Sequence, residues 1–406
     1  MQTSRRIAAL PPYLFAEIDR KVAAVKAAGV DVISFGVGDP DLPTPGFVVE
    51  ELARAAHDPS THHYPSYFGL PAFRKAIADF YERRFGVALD PATQVLPLIG
   101  SKEGIAHLPW AFVDPGDPVL VTEPGYPVYE IGTILTGGEP VHIPLTAEEG
   151  WFPDFGRVDG SVADRAKILW LGYPSNPTAA VASIDQFETA VRFAADHDVL
   201  LAHDNAYSEI TYDGFVAPSV LQVPGAMDVA VEFGSLSKIF NMTGWRAGWV
   251  VGNPVAIEAL GRVKTNIDSG IFNAVQRAGA AALSSDMSHL PGLVATYQRR
   301  RDRIMEVFWD AGWKVDAPKG ALYVWLPTPQ GESSVDFTAR LLEDAGVVVA
   351  PGSGYGPSGE GYIRLSLTIP DARLEEGCER VRKALVGGRR DGRENPRAGS
   401  VATRYR

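Results

Sequence analysis

Three observations predict an α/β fold with a mostly parallel sheet. Five short runs, at residues 119–121, 168–171, 199–202, 229–233 and 247–251, are almost wholly apolar, and each is followed by Gly, Pro, Ser or Asp. Continuous apolar runs of this length suit strands buried on both faces, as in a parallel sheet covered by helices. Helical apolar spacing lies between several of them, the alternation expected of a parallel α/β sheet. After about residue 285 the pattern changes: a basic helix pattern is followed by ALYVWLP, VVVAPGSGYG and GYIRLSLT, which reads as a smaller α+β unit.

Taken in order, residues 71–85 read as an amphipathic helix. Residues 97–103 read as a strand end or turn that opens a second helix. Ile184, Phe187, Ala190, Val191 and Ala194 recur at helical spacing ahead of the run at 199. Residues 293–311 read as a long helix. The last twenty residues, 387–406, hold six Arg against two acidic residues and little apolar content, the composition of a flexible tail. The expected division is a large domain at 36–285, a small domain built from 1–35 and 286–386, and the tail.

Composition narrows the class. Apolar content of 46% with a net charge of only −11 over 406 residues excludes disorder as the main state. That acidic balance argues against nucleic acid as a partner. No apolar run approaches the ~18 residues of a membrane span, and no signal peptide is read at the start. The one cysteine, Cys378, has no internal partner, so a cytoplasmic location is expected. The 41 glycines and 31 prolines form no repeat and cluster partly in turns after the apolar runs.

In an open parallel sheet, ligands sit beyond the C-terminal ends of the strands. The residues just past each run are TEPGYPVY, GYPSNPT, Asp204 with NAYSE, and SLSKIFNMTGWR. They offer an aromatic ring, an amide, a carboxylate with a phenol, and a lysine among serines and an arginine. This set suits pyridoxal 5′-phosphate. A pyridine nitrogen needs a buried carboxylate to favour its protonated form, and an aldehyde needs a lysine. A phosphate needs hydroxyls, an arginine fork and a helix N-terminus.

The order and spacing of these motifs resemble the class I/II pyridoxal-phosphate aminotransferases of fold type I, over residues 13–385. SLSKIFNMTGWRAG matches the family's Ser-x-Ser-Lys followed by Gly-Trp-Arg, with Asn-Pro-Thr and Asp-x-Ala-Tyr upstream in family order. The phrases IGSKEGIAHLP, EPGYPVYEIGT, YSEI and VKTNIDSG resemble the LL-diaminopimelate aminotransferase branch. The resemblance implies a three-layer αβα large domain, a smaller α+β domain, and two-step ping-pong transfer of an amino group between an amino acid and a 2-oxo acid. The branch points to LL-diaminopimelate as donor and 2-oxoglutarate as acceptor; in lysine biosynthesis the step runs the other way.

The resemblance also implies roles. Lys238 would hold the cofactor's aldehyde end and then serve as acid and base. Asp204 would pair with the pyridine nitrogen, Tyr207 and Asn176 would bond the ring oxygen, and Tyr126 would stack on the ring. Ser101, Lys102, Ser235, Ser237 and Arg246 would hold the phosphate. Lys102 is read alternatively as a backbone contact with its side chain in solvent. Tyr64 would reach the phosphate of a neighbouring subunit, implying a homodimer with shared sites. Arg364 would clamp the substrate carboxylate, Gly38 would let substrate approach the backbone, and Tyr13 lies in a segment that folds over the site or simply packs. Trp245 and Trp249 are expected in the core.

The chain departs from the family pattern at Ala179, where Gly is common, at Ser175, and at Ile239, where Thr is frequent. None of these removes an essential group. Aspartate, alanine and aromatic donors stay open, as does carbon–sulfur β-lyase chemistry on the same residues. A transcription regulator is disfavoured, because the family pattern starts almost at residue 1.

Overall fold

Seven strands form the central sheet, with chemistry-bearing loops gathered at one edge. The computed structural model describes residues 1–11, 14–27 and 29–388. Among these, the strands in chain order are β1 (Ile33–Ser34), β2 (Val95–Leu98), β3 (Pro118–Glu123), β4 (Glu139–Pro144), β5 (Ile168–Gly172) and β6 (Leu200–Asp204). There follow β7 (Ala230–Ser235), β8 (Gly248–Gly252), β9 (Tyr323–Pro327), β10 (Val347–Val348), β11 (Ala350–Pro351) and β12 (Tyr362–Ser366). The central order is β2-β8-β7-β6-β5-β3-β4. Strands β3 to β7 pair in parallel, while β8 runs antiparallel to both its neighbours.

All five apolar runs are strands. The run at 247–251 is the antiparallel one, which the pattern alone did not distinguish. Strand β4 escaped detection because it lies at the sheet edge and is mostly exposed or half-buried, with only Ile143 buried.

Helices cover both faces, giving three layers. Ile105, Leu108, Val128 and Leu260 pack on one face with Trp170 and Phe233. Phe73, Ile77, Phe187 and Val191 pack on the other with Leu169 and Leu201. The helix Pro71–Phe85 starts on its Pro and stops at Gly86, whose φ of 67° suits a residue without Cβ. The helix Ile184–Asp196 is set by a capping box between Ser183 and Gln186.

A further core gathers Ile33, Phe35, Tyr297, Phe308, Tyr323, Phe337 and Ile363. It lies around the antiparallel set β11-β12-β9 and the helices Leu290–Asp310, Ser334–Ala345 and Asp371–Gly388. Strand β1 comes from near the N-terminus and pairs with β10, which joins the two ends of the chain.

Candidate active site

Register brings the phosphate-type residues together. Gly248 of β8 faces Leu98 of β2 on one side and Ser235 of β7 on the other. Because β8 is antiparallel, its start lies at the edge where β2 and β7 end. Arg246, just before β8, thus meets Ser101 just after β2 and Ser235 at the end of β7. The strand reversal explains why this arginine precedes its strand while the other candidates follow theirs.

The meeting is close. A Cβ on Gly100 would lie 2.3 Å from Nη2 of Arg246, and one on Gly248 would lie 2.7 Å from the amide nitrogen of Ser101. Gly100 has a φ of 75° and caps the helix Ser101–Phe112 without a side-chain bond, so the helix start presents backbone N–H groups. Arg246 has a φ of 55° and is held by Nη1 donating to the Thr243 carbonyl at 2.7 Å. Ser235 accepts from the Ser237 amide at 3.1 Å, and both serines are buried. Lys102 is exposed at the same helix start.

Asp204 ends β6 at the floor of the site. Its Oδ2 accepts from the Tyr129 hydroxyl at 3.1 Å and its Oδ1 from the Ala206 amide at 3.3 Å. Burial lifts the Asp204 carboxyl above its ordinary range, against the pull of Tyr129, His203, the Ala206 amide and Lys238. The Tyr129 ring lies flat on Trp170, with centroids 4.9 Å apart, and meets the Tyr126 ring edge-on at 5.8 Å.

The opposite wall is a strap at residues 35–41. Four successive carbonyls each accept a bond: Phe35 from the Ser366 amide at 2.7 Å, Gly36 from Arg364 Nη2 at 2.7 Å, Val37 from the Thr368 hydroxyl at 3.0 Å, and Gly38 from Lys238 Nζ at 2.9 Å. Arg364 is buried, donates through Nη1 to Asn176 Oδ1 at 2.8 Å, and lies over the Tyr323 ring at 4.1 Å and the Tyr355 ring at 4.9 Å. Tyr207 and Tyr323 share a hydroxyl contact at 3.0 Å, and burial followed by Tyr323 pushes the Tyr207 phenol well up. A Cβ on Gly38 would collide with the Tyr323 hydroxyl at 2.3 Å.

The expected set is thus largely convergent. Lys238, Asp204, Tyr207, Asn176, Arg364 and Gly38 line one space, with Tyr126 beside it and Ser101, Ser235, Ser237 and Arg246 at one end. Tyr64 stands apart, 88% exposed. Tyr13 and residues 389–406 lie outside the described residues. Trp249 is in the core and Trp245 packs partly against it. Ala179 is fully buried with φ 57°, a conformation that explains why Gly suits this position. Tyr129 and Tyr323 were missed. Tyr129 sits three residues after Tyr126 in the same motif, which was its only signal; Tyr323 reads as an ordinary strand residue.

An uncapped helix start beside a guanidinium, a part-buried carboxylate and a part-buried lysine form the receptor set of a phosphorylated pyridine aldehyde. The fold and site together define a pyridoxal-phosphate enzyme of fold type I. The profile of the family described as aminotransferase class I and II matches residues 30–381. The chain is 54% identical over 385 residues to an LL-diaminopimelate aminotransferase of Moorella thermoacetica, covering 95% of this chain and 99% of that protein. It is 53% identical over 382 residues to one of Desulforudis audaxviator, covering 94% and 97%. Substrate-bound BacF of Bacillus subtilis superposes with a TM-score of 0.90 at 37% identity, covering 94% of this chain and 98% of that one.

The chain belongs to the class I and II aminotransferases. It is an enzyme that transfers amino groups, and its cofactor is pyridoxal 5′-phosphate. Among the described residues no helix is long and apolar enough to cross a membrane.

Proposed function

We propose that this aminotransferase takes LL-diaminopimelate as amino donor and 2-oxoglutarate as acceptor. The observation that carries the chemistry is the convergence of Lys238, Asp204 and Arg364 from three distant parts of the chain. The names of its relatives, at 54% and 53% identity, support the substrate.

When bound, the cofactor supplies an electron sink for the pair released at the substrate α-carbon. Lys238 would hold its aldehyde end, Asp204 its pyridine nitrogen, Tyr207 and Asn176 its ring oxygen, and Tyr126 its ring face. Ser101, Lys102, Ser235, Ser237 and Arg246 would hold its phosphate. Arg364, already oriented by Asn176 and Gly36, would bind the substrate carboxylate with a planar fork. With the carboxylate so held, Lys238 Nζ would move the proton between the substrate α-carbon and the cofactor's C4′ carbon. A side chain at position 38 would run into the Tyr323 ring, so glycine lets the strap lie against that phenol.

This reading includes a homodimer in the cytoplasm. Tyr64, Tyr67, Phe68, Ile267 and Phe272 are exposed apolar side chains that a second copy would cover, with Tyr64 reaching the partner's phosphate. It also includes the division into a large part at 36–285 and a smaller part from 1–35 and 286–386.

An amino-donor panel with 2-oxoglutarate tests the substrate. Turnover should be greatest with LL-diaminopimelate. Brisk turnover of aspartate or alanine with none of diaminopimelate would remove the substrate assignment and leave the class intact. Pyruvate release from cystathionine without an oxo acid would instead favour a carbon–sulfur lyase.

A further inference from the structure

Behind Asp204, on the other face of the sheet, lies a buried polar cluster that the reaction itself does not use. His203 precedes Asp204 on β6 and faces Glu232 of β7 in register. Both side chains are wholly buried. His203 Nδ1 lies 2.9 Å from Glu232 Oε2, and its Nε2 lies 3.1 Å from the Tyr173 carbonyl oxygen. A carbonyl can only accept, so Nε2 carries a hydrogen. A neutral imidazole has one donor nitrogen, so Nδ1 would then have to accept from Glu232.

Glu232 is in no position to donate. Its Oε1 accepts from the Tyr81 hydroxyl at 2.8 Å and Asn205 Nδ2 at 3.1 Å, and its Oε2 from the Ser219 hydroxyl at 2.9 Å and the Val220 amide at 3.0 Å. Tyr81 itself accepts from Trp249 Nε1, and Ser219 accepts from the Leu221 amide, so both direct their hydrogens to Glu232. Burial works to raise this carboxyl, but the bonds and charge of His203 together with Asn205 and Tyr81 bring it below its ordinary range. The consistent assignment is an ionised Glu232 against a doubly protonated His203.

We propose that His203 is a fixed imidazolium, balanced by Glu232, that acts as a positioning residue by keeping Asp204 ionised at the floor of the site. This deepens the reading above and rests on Asp204 being the partner of the cofactor nitrogen. The other groups that face Asp204 are Tyr129 from the helix Val128–Thr136, Lys238 and Tyr207; Glu232 is faced also by Tyr81 from the helix Pro71–Phe85, with Glu209 near that hydroxyl. Lys238 is committed to the cofactor when the enzyme is loaded. The constant positive charge near Asp204 is therefore that of His203.

Nitrogen NMR of holoenzyme with labelled histidine, its signals assigned through a His203→Gln variant, tests the charge. Both ring nitrogens of His203 should be protonated at neutral pH; one bare nitrogen overturns the proposal. In Glu232→Gln the same ring should fall to one protonated nitrogen. The consequence for Asp204 is tested in the double variant His203→Gln with Glu232→Gln, which keeps amide hydrogen bonds and leaves no lone buried charge. The dissociation constant of pyridoxal 5′-phosphate is measured against pH. Its acid-side midpoint should move up by roughly half a pH unit or more; an unmoved midpoint overturns the proposal. If borohydride fixes the cofactor to a lysine other than Lys238, the site reading falls. A neutral His203 beside a correctly placed adduct overturns this proposal alone.

Discussion

The floor and the strap of the site are held by different means. At the floor, Asp204, Ser235 and the turn at Gly100 are placed by neighbouring strands, and pairs such as Leu98 with Gly248 and Ser235 with Gly248 leave little freedom. The strap at 35–41 belongs to the sequence start and is tied by side chains from elsewhere: Arg364, Thr368, Lys238 and Arg300. Arg300 is buried and forks onto Asp41, at 2.7 and 2.9 Å, while its Nε reaches Asp371 at 2.6 Å. Sheet register places the residues proposed for the cofactor, and single polar contacts place those proposed for the substrate. Substitutions at the floor should therefore act on chemistry, and substitutions at the strap on binding and stability.

The largest effect is expected at Lys238, which follows β7 on the floor side and bonds the strap through its side chain. Lys238→Ala should lower turnover by about 10⁴-fold or more in steady-state assays, because both acid and base are lost. Turnover at the wild-type rate would end the assignment. At the strap, Arg364→Lys should lower kcat/KM by about 10- to 100-fold, chiefly through KM, since a point charge replaces a two-pronged donor worth roughly 1.5–3 kcal/mol. A loss confined to kcat would place Arg364 with the chemistry and erase the contrast.

Arg300→Met should cost about 2–3 kcal/mol in urea unfolding, at or below the low end of the roughly 3–5 kcal/mol for breaking a fully buried pair, because Asp371 is largely exposed. A cost near zero would mean that the strap is held without it.

The smallest effect concerns pH. Glu123 at the end of β3 bonds His142 of β4 at 2.7 Å and the amide and hydroxyl of Ser358 at 2.9 and 2.7 Å. Burial works to raise Glu123, but His142 and Ser358 bring it below its ordinary 4.5. The Glu123 bond raises His142 above its ordinary 6.5, against burial. The lowered carboxyl contributes stability that is present above pH 4.5 and lost as pH falls through its folded value. The raised imidazole contributes stability that is present below pH 6.5 and lost as pH rises through its folded value. The contact is strongest between these limits, and the alkaline loss should be at most about 1 kcal/mol for a part-exposed pair. Urea midpoints at about pH 6 and about pH 9 measure it. The same decline in His142→Asn would show that another group is responsible.

The cofactor end was the more legible of the two in sequence. Buried strands are continuous apolar runs, and the residues following them carried most of the chemistry: Tyr126, Asn176, Asp204, Tyr207 and Lys238. Arg246 was read from its motif, although its place in space depends on the reversed strand β8. The strap was read only in part. Gly38 and Arg364 stood out by resemblance, but nothing local tells that Gly36 will accept from a residue 328 positions away. Tyr129, Tyr323 and the pair His203–Glu232 stayed hidden for the same reason, since a hydrogen-bond partner is a property of register and packing.

By itself, the sequence determined the α/β class, the helix limits marked by Pro71, Gly86 and Ser183, and the residue types able to serve pyridoxal phosphate. These follow from local rules, because periodicity, capping and turn chemistry depend on neighbours in the chain. Only the tertiary structure decided that β8 runs backward, that Arg246 therefore meets Ser101 and Ser235, and that both nitrogens of His203 face acceptors. Those outcomes depend on which strands pair and which side chains are sealed from water, and a buried donor or acceptor must find its partner wherever the fold has put it.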